Sequence, residues 1–522
     1  MHAFLRFSAN VKTLTSAALL GAAASLSCAP AAHAPTLTRT ETFPAELDRY
    51  IARVLVDGRI PGLAIAIVRN DSVLVAKGYG VRELGRPAPV DEHTVFDIAS
   101  LAKSFTATAA AILVDRGMLH WDDPVRRHLP DLALPTAALT DSATVRDFLS
   151  HGTGLDPANT MWVLTSLQRD DVLRRMRHLR VVAPFRQTMV YSNIGYSVAG
   201  EAMAAAAGTS FESLLRDLVI RPLQLASTTW TYEQAAELEN VSASHAALGG
   251  VQQPIARERQ RQSIAPAASV QSSVHDLAKW LRLNLNGGIV DGVRLVSDSA
   301  LRELHTVQTP IATTPEIRAA RMVHDTSTGY GMGWQVMDYR GHPLLWHTGN
   351  GNGQIAYMAL LPRDRLGLVV LVNTWSAPLI HLALGSRILD TYLGFDERDW
   401  AGEALARVSA LERAQDSARQ AMVAMRSDDP PPLPLERYAG RYEHAVFGPV
   451  IIQVVDGGLT LQMGGGEIAD LEYHGSEVFF TRWRDPFFRE YYGAHVTLPT
   501  TNGRVDSLRT QLNRDQFTAV RR

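Results

Sequence analysis

A serine and a lysine three residues apart are the pair in this sequence best suited to covalent chemistry. They lie in the run Phe96-Asp97-Ile98-Ala99-Ser100-Leu101-Ala102-Lys103, where Ser100 stands at the start of a helical pattern that closes at Gly117. A spacing of three carries the Lys103 amine onto the helix face that holds the Ser100 hydroxyl. A serine hydroxyl is a poor nucleophile until a neighbouring base takes its proton. Lysine can be that base if burial and the positive end of the helix dipole lower its pKa, whereas arginine keeps its proton. Residue usage adds weight, because of 51 basic residues only Lys12, Lys77, Lys103 and Lys279 are lysines. Ala9, Leu74 and Asp276 occupy the same offset before the other three, so the serine partner is particular to Lys103. The bland alternative is a capping serine followed by a solvent-exposed lysine.

Two further stretches carry polar groups suited to the same chemistry. Tyr191-Ser192-Asn193 precedes a helical pattern through Val198 and Ala206. A tyrosinate beside a lysine can shuttle a proton, and an asparagine amide can hold a substrate carbonyl. Trp346-His347-Thr348-Gly349-Asn350-Gly351-Asn352-Gly353-Gln354 reads as a strand leading into a hairpin. Its glycines allow a substrate backbone to approach closely, and a backbone N–H near Asn350 could complete an oxyanion hole. Taken singly, the first is an ordinary turn and the second a glycine-rich strand end.

The elements that must position these residues can be read from periodicity. Leu47, Ile51, Val54 and Leu55 share a helical face, opened by Pro44 and closed by Gly58. Leu63–Val68 and Val73–Lys77 form a hairpin through Asn70-Asp71. From Ser100 to about Gly288 the pattern is mostly helical. Strands return at Gly333–Asp338, Ile355–Leu361 and Leu366–Val372, followed by a helix over Leu379–Leu393. Hairpins at both ends around a helical middle argue for an antiparallel sheet in an α+β fold and against a doubly wound parallel one. Ala401–Met425 is helical by spacing and runs into Asp428-Asp429-Pro430-Pro431-Pro432-Leu433-Pro434, a stiff linker by composition. Residues 435–522 read as β throughout, a small barrel or sandwich. Together these suggest a signal segment over 1–34, a hydrolytic domain over 35–395, a helix and linker over 396–434 and a β domain over 435–522.

Composition sets outer limits. With 522 residues, 46% hydrophobic and a net charge of −2, the chain is globular and lacks the basic field that would hold nucleic acid. Residues 1–34 join Arg6 and Lys12 to an apolar run, Leu14–Leu26, and then small residues, the pattern of an export signal. The single cysteine, Cys28, stands where a bacterial lipoprotein carries its lipid, but Ser25 replaces the aliphatic residue expected before it, so lipidation and removal with the signal both stay open. The expected location is periplasmic or secreted, with no membrane span in the mature chain. A homo-oligomer is compatible with the sequence but not readable from it.

Order and context together resemble the serine β-lactamase and penicillin-binding-protein-like hydrolases, nearest to the class C-type β-lactamase-related esterases and peptidases. The resemblance covers about residues 44–393. It is supported by Leu119-His120-Trp121-Asp122-Asp123-Pro124, Phe148-Leu149-Ser150-His151-Gly152-Thr153-Gly154-Leu155 and Gly329-Tyr330-Gly331-Met332-Gly333-Trp334. It implies an acyl-enzyme on Ser100, with Lys103 as proton acceptor and Tyr191 passing the proton to the leaving group and later activating water. It also implies that Asn193 orients the acyl chain, that His347, Thr348 and Gly349 wall the cleft, and that the N–H groups of Ser100 and Asn350 form the oxyanion hole, without metal or cofactor. Whether Lys103 or Tyr191 is the base stays open. The C-terminal region, from Tyr438-Ala439-Gly440-Arg441-Tyr442, resembles the lipocalin-like domain often appended to such enzymes.

Two departures bear on substrate. The family's β-lactamases and DD-peptidases usually carry lysine where His347 stands, and neutral histidine removes a fixed docking charge for a substrate carboxylate. Esters are therefore expected first, then amides and D-amino-acid peptides, then β-lactams. Pro184-Phe185-Arg186-Gln187 replaces a Pro-Gly turn common before the tyrosine motif, and Arg186 reads as a surface residue rather than a binding group. A Gly-x-Ser-x-Gly elbow is missing, since Gly195-Tyr196-Ser197-Val198-Ala199 lacks the second glycine, and neither His-Glu-x-x-His nor a phosphate-binding glycine loop occurs. The rival from another class is an acylatable sensor that forms an adduct without turnover.

Overall fold

A hairpin of β1 (Gly62–Arg69) and β2 (Ser72–Gly80) turns on Asn70 and Asp71, whose φ values of 50° and 69° match the right-handed strand twist of a two-residue turn. The computed structural model that shows this describes residues 42–256, 262–311, 328–427, 429–464, 466–512 and 515–522. The expected export signal over 1–34 and Cys28 lie outside them.

Strand β1 lies one in from the edge of the main sheet, beside the edge strand β2. The sheet continues through β3 (Thr309–Pro310), β4 (Thr328–Tyr330), β5 (Gln335–Tyr339), β6 (His342–Gly351), β7 (Gln354–Leu361) and β8 (Leu366–Val372). The order is β2-β1-β8-β7-β6-β5-β4-β3, antiparallel at every pairing. Strands β1, β7 and β8 are buried along their whole length, which is why they read as unbroken apolar runs rather than alternating ones. One face packs on α1 (Ala45–Asp57) through Leu47, Ile51 and Val54, and on the helix Ile380–Leu393. The other packs on α2 (Ala102–Asp115) and the helix Val274–Leu285, where Trp280 stacks on Phe105 with ring centroids 3.9 Å apart.

The predicted helical middle is there, with α3 (Asn193–Ala207) as its central helix. It also holds a hairpin, Ser244–Leu248 with Val251–Ile255, turning on Gly249 and Gly250. Helical periodicity hid these two short strands, although the Gly-Gly pair signals the turn.

The helix Trp400–Ala424 leads to a closed eight-stranded barrel. Its strands are Gly440–His444, Gly448–Val455, Gly458–Met463, Ile468–Tyr473, Val478–Trp483, His495–Thr497, Ser507–Leu512 and Asp515–Arg521. Each pairs with the next and the last returns to the first. Buried Tyr442, Leu461, Met463, Trp483 and Leu508 belong to its core. The region is not β throughout, because a helix spans Pro486–Tyr491. The Asp485 side chain caps it by accepting the Phe488 N–H, and Pro486 occupies its first turn. The Pro-rich linker is packed rather than free, with Leu433 and Leu435 against the barrel core.

The barrel is pinned to the first domain at several points. The Thr160 N–H donates to the Asp515 carboxylate at 2.5 Å and the Thr160 hydroxyl to the Leu512 carbonyl at 3.1 Å. Arg175 donates to the Ala445 carbonyl at 2.7 Å, and Tyr491 to the Ala247 carbonyl at 3.1 Å. Among the described residues no helix is long and apolar enough to cross a membrane.

Candidate active site

Ser100 lies in a 3-10 turn, Ala99–Leu101, that feeds directly into α2. The turn is strained, since Ala99 has φ of 43°. It is held by Asp97, whose carboxylate accepts the Ala99 N–H at 2.8 Å and the Tyr232 hydroxyl at 3.1 Å, and whose own N–H donates to the Gln354 side chain at 2.8 Å. The backbone at Ser100 is thus braced from both the helical region and β7.

Lys103 is fully buried one turn along, as the spacing requires. Its Nζ donates to Ser100 Oγ at 3.0 Å, to Asn193 Oδ1 at 2.7 Å and to the Ala267 carbonyl at 3.2 Å. The same nitrogen lies 4.8 Å from the centre of the Tyr191 ring and 5.3 Å from that of Tyr196. Asn193 arrives at the first residue of α3, whose start is fixed by the Ser192 hydroxyl accepting the Gly195 N–H at 3.1 Å. Tyr191 hydrogen-bonds Ser100, and burial pushes its phenol above the ordinary value, so it is protonated at neutral pH. Ser100, Lys103, Tyr191 and Asn193, chosen from separate stretches of sequence, therefore share one hydrogen-bonded cluster.

The third stretch supplies the wall. Strand β6 pairs with β7 from Leu345 to Gly351 but with β5 only from His342 to Trp346. The segment 347–351 consequently has no β5 partner alongside it. An ideal Cβ on Gly349 would stand 2.0 Å from the Ile98 carbonyl oxygen and 3.3 Å from the Ser100 nitrogen. That glycine's requirement comes from the chain itself, which brings β6 against the Ser100 turn, and not from a substrate backbone as the sequence led us to expect. Thr348 is half-buried and Asn350 exposed on the alternate face.

His347 does not face the cleft as a free imidazole. It is buried, with Nδ1 2.7 Å from the Thr348 carbonyl and Nε2 3.0 Å from the Tyr330 hydroxyl. These partners assign the proton to Nδ1 and leave Nε2 to accept from Tyr330. Burial, with Lys103 nearby, pushes the imidazole down to about 3, so it stays neutral across the physiological range.

Other residues of the site were quoted in the motifs without a role. His151, Tyr196 and Tyr330 pack around Tyr191, with His151 4.3 Å from Tyr191, 5.2 Å from Tyr196 and 4.7 Å from Tyr330 between ring centroids. The Ala267 carbonyl was not legible at all, because a backbone acceptor leaves no trace in residue type. Arg186 grips the buried Asp147 through Nε at 2.7 Å and Nη2 at 2.8 Å, which removes it as a substrate group. Its φ of 63° is the left-handed conformation that the expected glycine would have supplied.

Comparison with known proteins agrees with this arrangement. The β-lactamase family pattern matches residues 47–391, and that of a domain of unknown function, DUF3471, matches residues 425–520. A protein named unguisins hydrolase ungD, from Aspergillus violaceofuscus, is 28% identical over 79% of this chain and 77% of its own length. Penicillin-binding protein 4 of Amycolatopsis lactamdurans is 27% identical over 60% of this chain and 81% of its own. Among solved structures, the octameric penicillin-binding protein homologue from Pyrococcus abyssi superposes with a TM-score of 0.59 at 20% identity, covering 91% of this chain and 99% of that one. SurE superposes at 0.53 and 18% identity, covering 91% and 98%, and both likenesses speak to the fold. A nucleophile turn, a buried lysine, a tyrosine–asparagine pair and an open strand edge, in a chain matched over most of its first domain, are those of a serine hydrolase, and the chain belongs to the β-lactamase family.

Proposed function

We propose that the protein cleaves carboxylic esters through an acyl-enzyme on Ser100. The observation that carries this is the convergence of Lys103 Nζ and the Tyr191 hydroxyl on Ser100 Oγ. Once Lys103 has given up the proton it carries in this cluster, its neutral Nζ takes the Ser100 proton as Oγ attacks the ester carbonyl. The protonated phenol of Tyr191 is suited to give a proton to the departing alkoxide, with Lys103 resupplying it. Water then attacks the acyl-enzyme, its proton returning along the same groups, and the acid leaves Ser100 free. Asn193 is suited to holding the acyl chain, Thr348 and Gly349 to lining it, and the N–H groups of Ser100 and Asn350 to receiving the oxyanion.

Preference for esters rests on His347. An imidazole held neutral, with both nitrogens engaged, offers no fixed charge to a substrate carboxylate. Amides and D-amino-acid peptides form the second class, in keeping with relatives named for unguisin hydrolysis and penicillin binding. Residues 1–34 have the composition of an export signal, which would place this activity in the periplasm or outside the cell.

The test is steady-state release of nitrophenol from a short acyl ester by wild type and Ser100→Ala, with a chromogenic cephalosporin alongside. Ester turnover that vanishes in the alanine variant, with little cephalosporin cleavage, is the expected result. Dominant cephalosporin turnover would overturn the inference from His347. Acylation of Ser100 without turnover would move the protein to the sensor class.

A further inference from the structure

His151 combines three features that a loop residue does not need for folding alone. Its backbone is left-handed, with φ of 61°, a conformation that costs a non-glycine residue on the order of 1 kcal/mol. Its ring is 1% exposed, yet Nε2 has no hydrogen-bond partner among the described residues. A buried donor left unmade costs about 1–3 kcal/mol. Its carbonyl oxygen and its Nδ1 are both spent on the segment that carries Tyr191, while its backbone N–H donates to the Phe148 carbonyl.

Those two contacts straddle the tyrosine. The His151 carbonyl accepts the Val190 N–H at 3.0 Å, and His151 Nδ1 accepts the Ser192 N–H at 3.1 Å. The residues before and after Tyr191 are thereby fixed to one side chain and its own backbone, and the imidazole ring lies against the Tyr191 ring between them. Because Nδ1 accepts, the neutral ring carries its proton on Nε2, and a second proton would break the bond to Ser192. Burial together with the charge of Lys103 and the proximity of His347 disfavours that protonation.

We infer that His151 is a positioning residue for Tyr191: a two-point clasp on Val190 and Ser192 that sets the phenol against Ser100. This rests on the acyl-enzyme reading. The clasp also sets the start of α3, since Ser192 caps the helix whose first residue, Asn193, accepts from Lys103. Strain and an unmade hydrogen bond beside a reacting group are what positioning explains, because glycine would relieve both but supply no acceptor to Ser192.

Two variants separate the roles. His151→Gly relieves the left-handed backbone and deletes the acceptor, whereas His151→Asn tolerates that backbone and can present Oδ1 where Nδ1 stood. Each is compared with wild type for the rate of Ser100 modification by a nitrophenyl phosphonate, for kcat and KM on a nitrophenyl ester, and for melting temperature. The glycine variant is expected to lose about 100-fold in kcat and in phosphonylation rate, the scale of a misplacement of about 1 Å, with KM within threefold. The asparagine variant should recover most of that loss. Wild-type rates in the glycine variant, or equal losses in both variants despite wild-type melting temperatures, would overturn the clasp. A wild type whose Ser100 is not phosphonylated would overturn the acyl-enzyme reading itself, and the role of His151 with it.

Discussion

Adding one methyl group to Gly349 tests whether β6 and the Ser100 turn are held in one fixed relation. In Gly349→Ala the new Cβ would lie 2.0 Å from the Ile98 carbonyl oxygen and 2.9 Å from its carbon. An ordinary carbon–oxygen approach is about 3.3 Å, so the shortfall is about 1.3 Å. Neither side can yield by a rotamer change, because both are backbone. On one side β6 is registered against β7 from Leu345 to Gly351. On the other, the turn is braced by Asp97, Gln354 and Tyr232. A displacement of about 1 Å between Ser100 and its wall should lower kcat on the order of 100-fold, about 3 kcal/mol of transition-state stabilisation. Overpacking of this kind also costs about 1–3 kcal/mol of stability. The assay is nitrophenyl ester turnover with a melting curve for each protein. Gly458→Ala is the control, since its added methyl would find its nearest neighbour, the Val455 carbonyl oxygen, at 3.8 Å. A Gly349→Ala enzyme with wild-type kcat and melting temperature would refute the argument that this glycine sets the cleft.

Acid should destabilise the fold through its buried imidazoles. Burial pushes His305, His347 and His381 each down to about 3, so the unfolded chain binds protons below pH 6.5 that the folded chain refuses. Stability from this source is complete above that pH and is lost as pH falls toward 3. At pH 5 unfolding should take up about one proton per histidine, worth roughly 2 kcal/mol each. Urea midpoints between pH 7.5 and 5 measure it, and a flat or rising profile on acidification would contradict it. At Arg186, the alanine variant loses the grip on Asp147 but keeps the left-handed strain, whereas Arg186→Gly loses the grip and relieves the strain. The glycine variant should therefore be the more stable of the two by about 1 kcal/mol, and the reverse order of melting temperatures would refute the strain argument.

The site was more legible in the sequence than the surroundings that tune it. Ser100 sits in a 3-10 turn that runs straight into the helix carrying Lys103, so their approach follows from helical spacing, and Asn193 is the first residue of another helix. Side-chain chemistry and local periodicity carry that much. The Asn70-Asp71 turn and the unbroken apolar strands β1, β7 and β8 were readable for the same local reason. What failed was non-local or belonged to the backbone. The hairpin on Gly249-Gly250 and the helix after Asp485 are too short to impose a period. The Ala267 carbonyl and the close approach of Gly349 to Ile98 come from packing between distant segments. His151 was visible in its motif, but its hold on both neighbours of Tyr191 depends on a left-handed backbone that residue type does not announce.

The two departures from the family pattern are accommodated in different ways, and the difference bears on substrate choice. At Arg186 the backbone requirement survives the loss of glycine: the chain keeps φ at 63° and uses the new side chain to hold Asp147. At His347 the requirement itself is different. The imidazole accepts from Tyr330 through Nε2 and donates to the Thr348 carbonyl through Nδ1, so it satisfies a buried hydroxyl and a strand carbonyl at once. A lysine ammonium can only donate. Placed here, it could not accept from Tyr330, and it would add a second positive charge near Lys103, whose field already disfavours protonation of His347. On the proposed ester reading, the lack of a fixed cation at this wall thus belongs to a tyrosine–histidine pair lodged against Tyr191. A change of preference toward anionic substrates would require Tyr330 and His347 to change together.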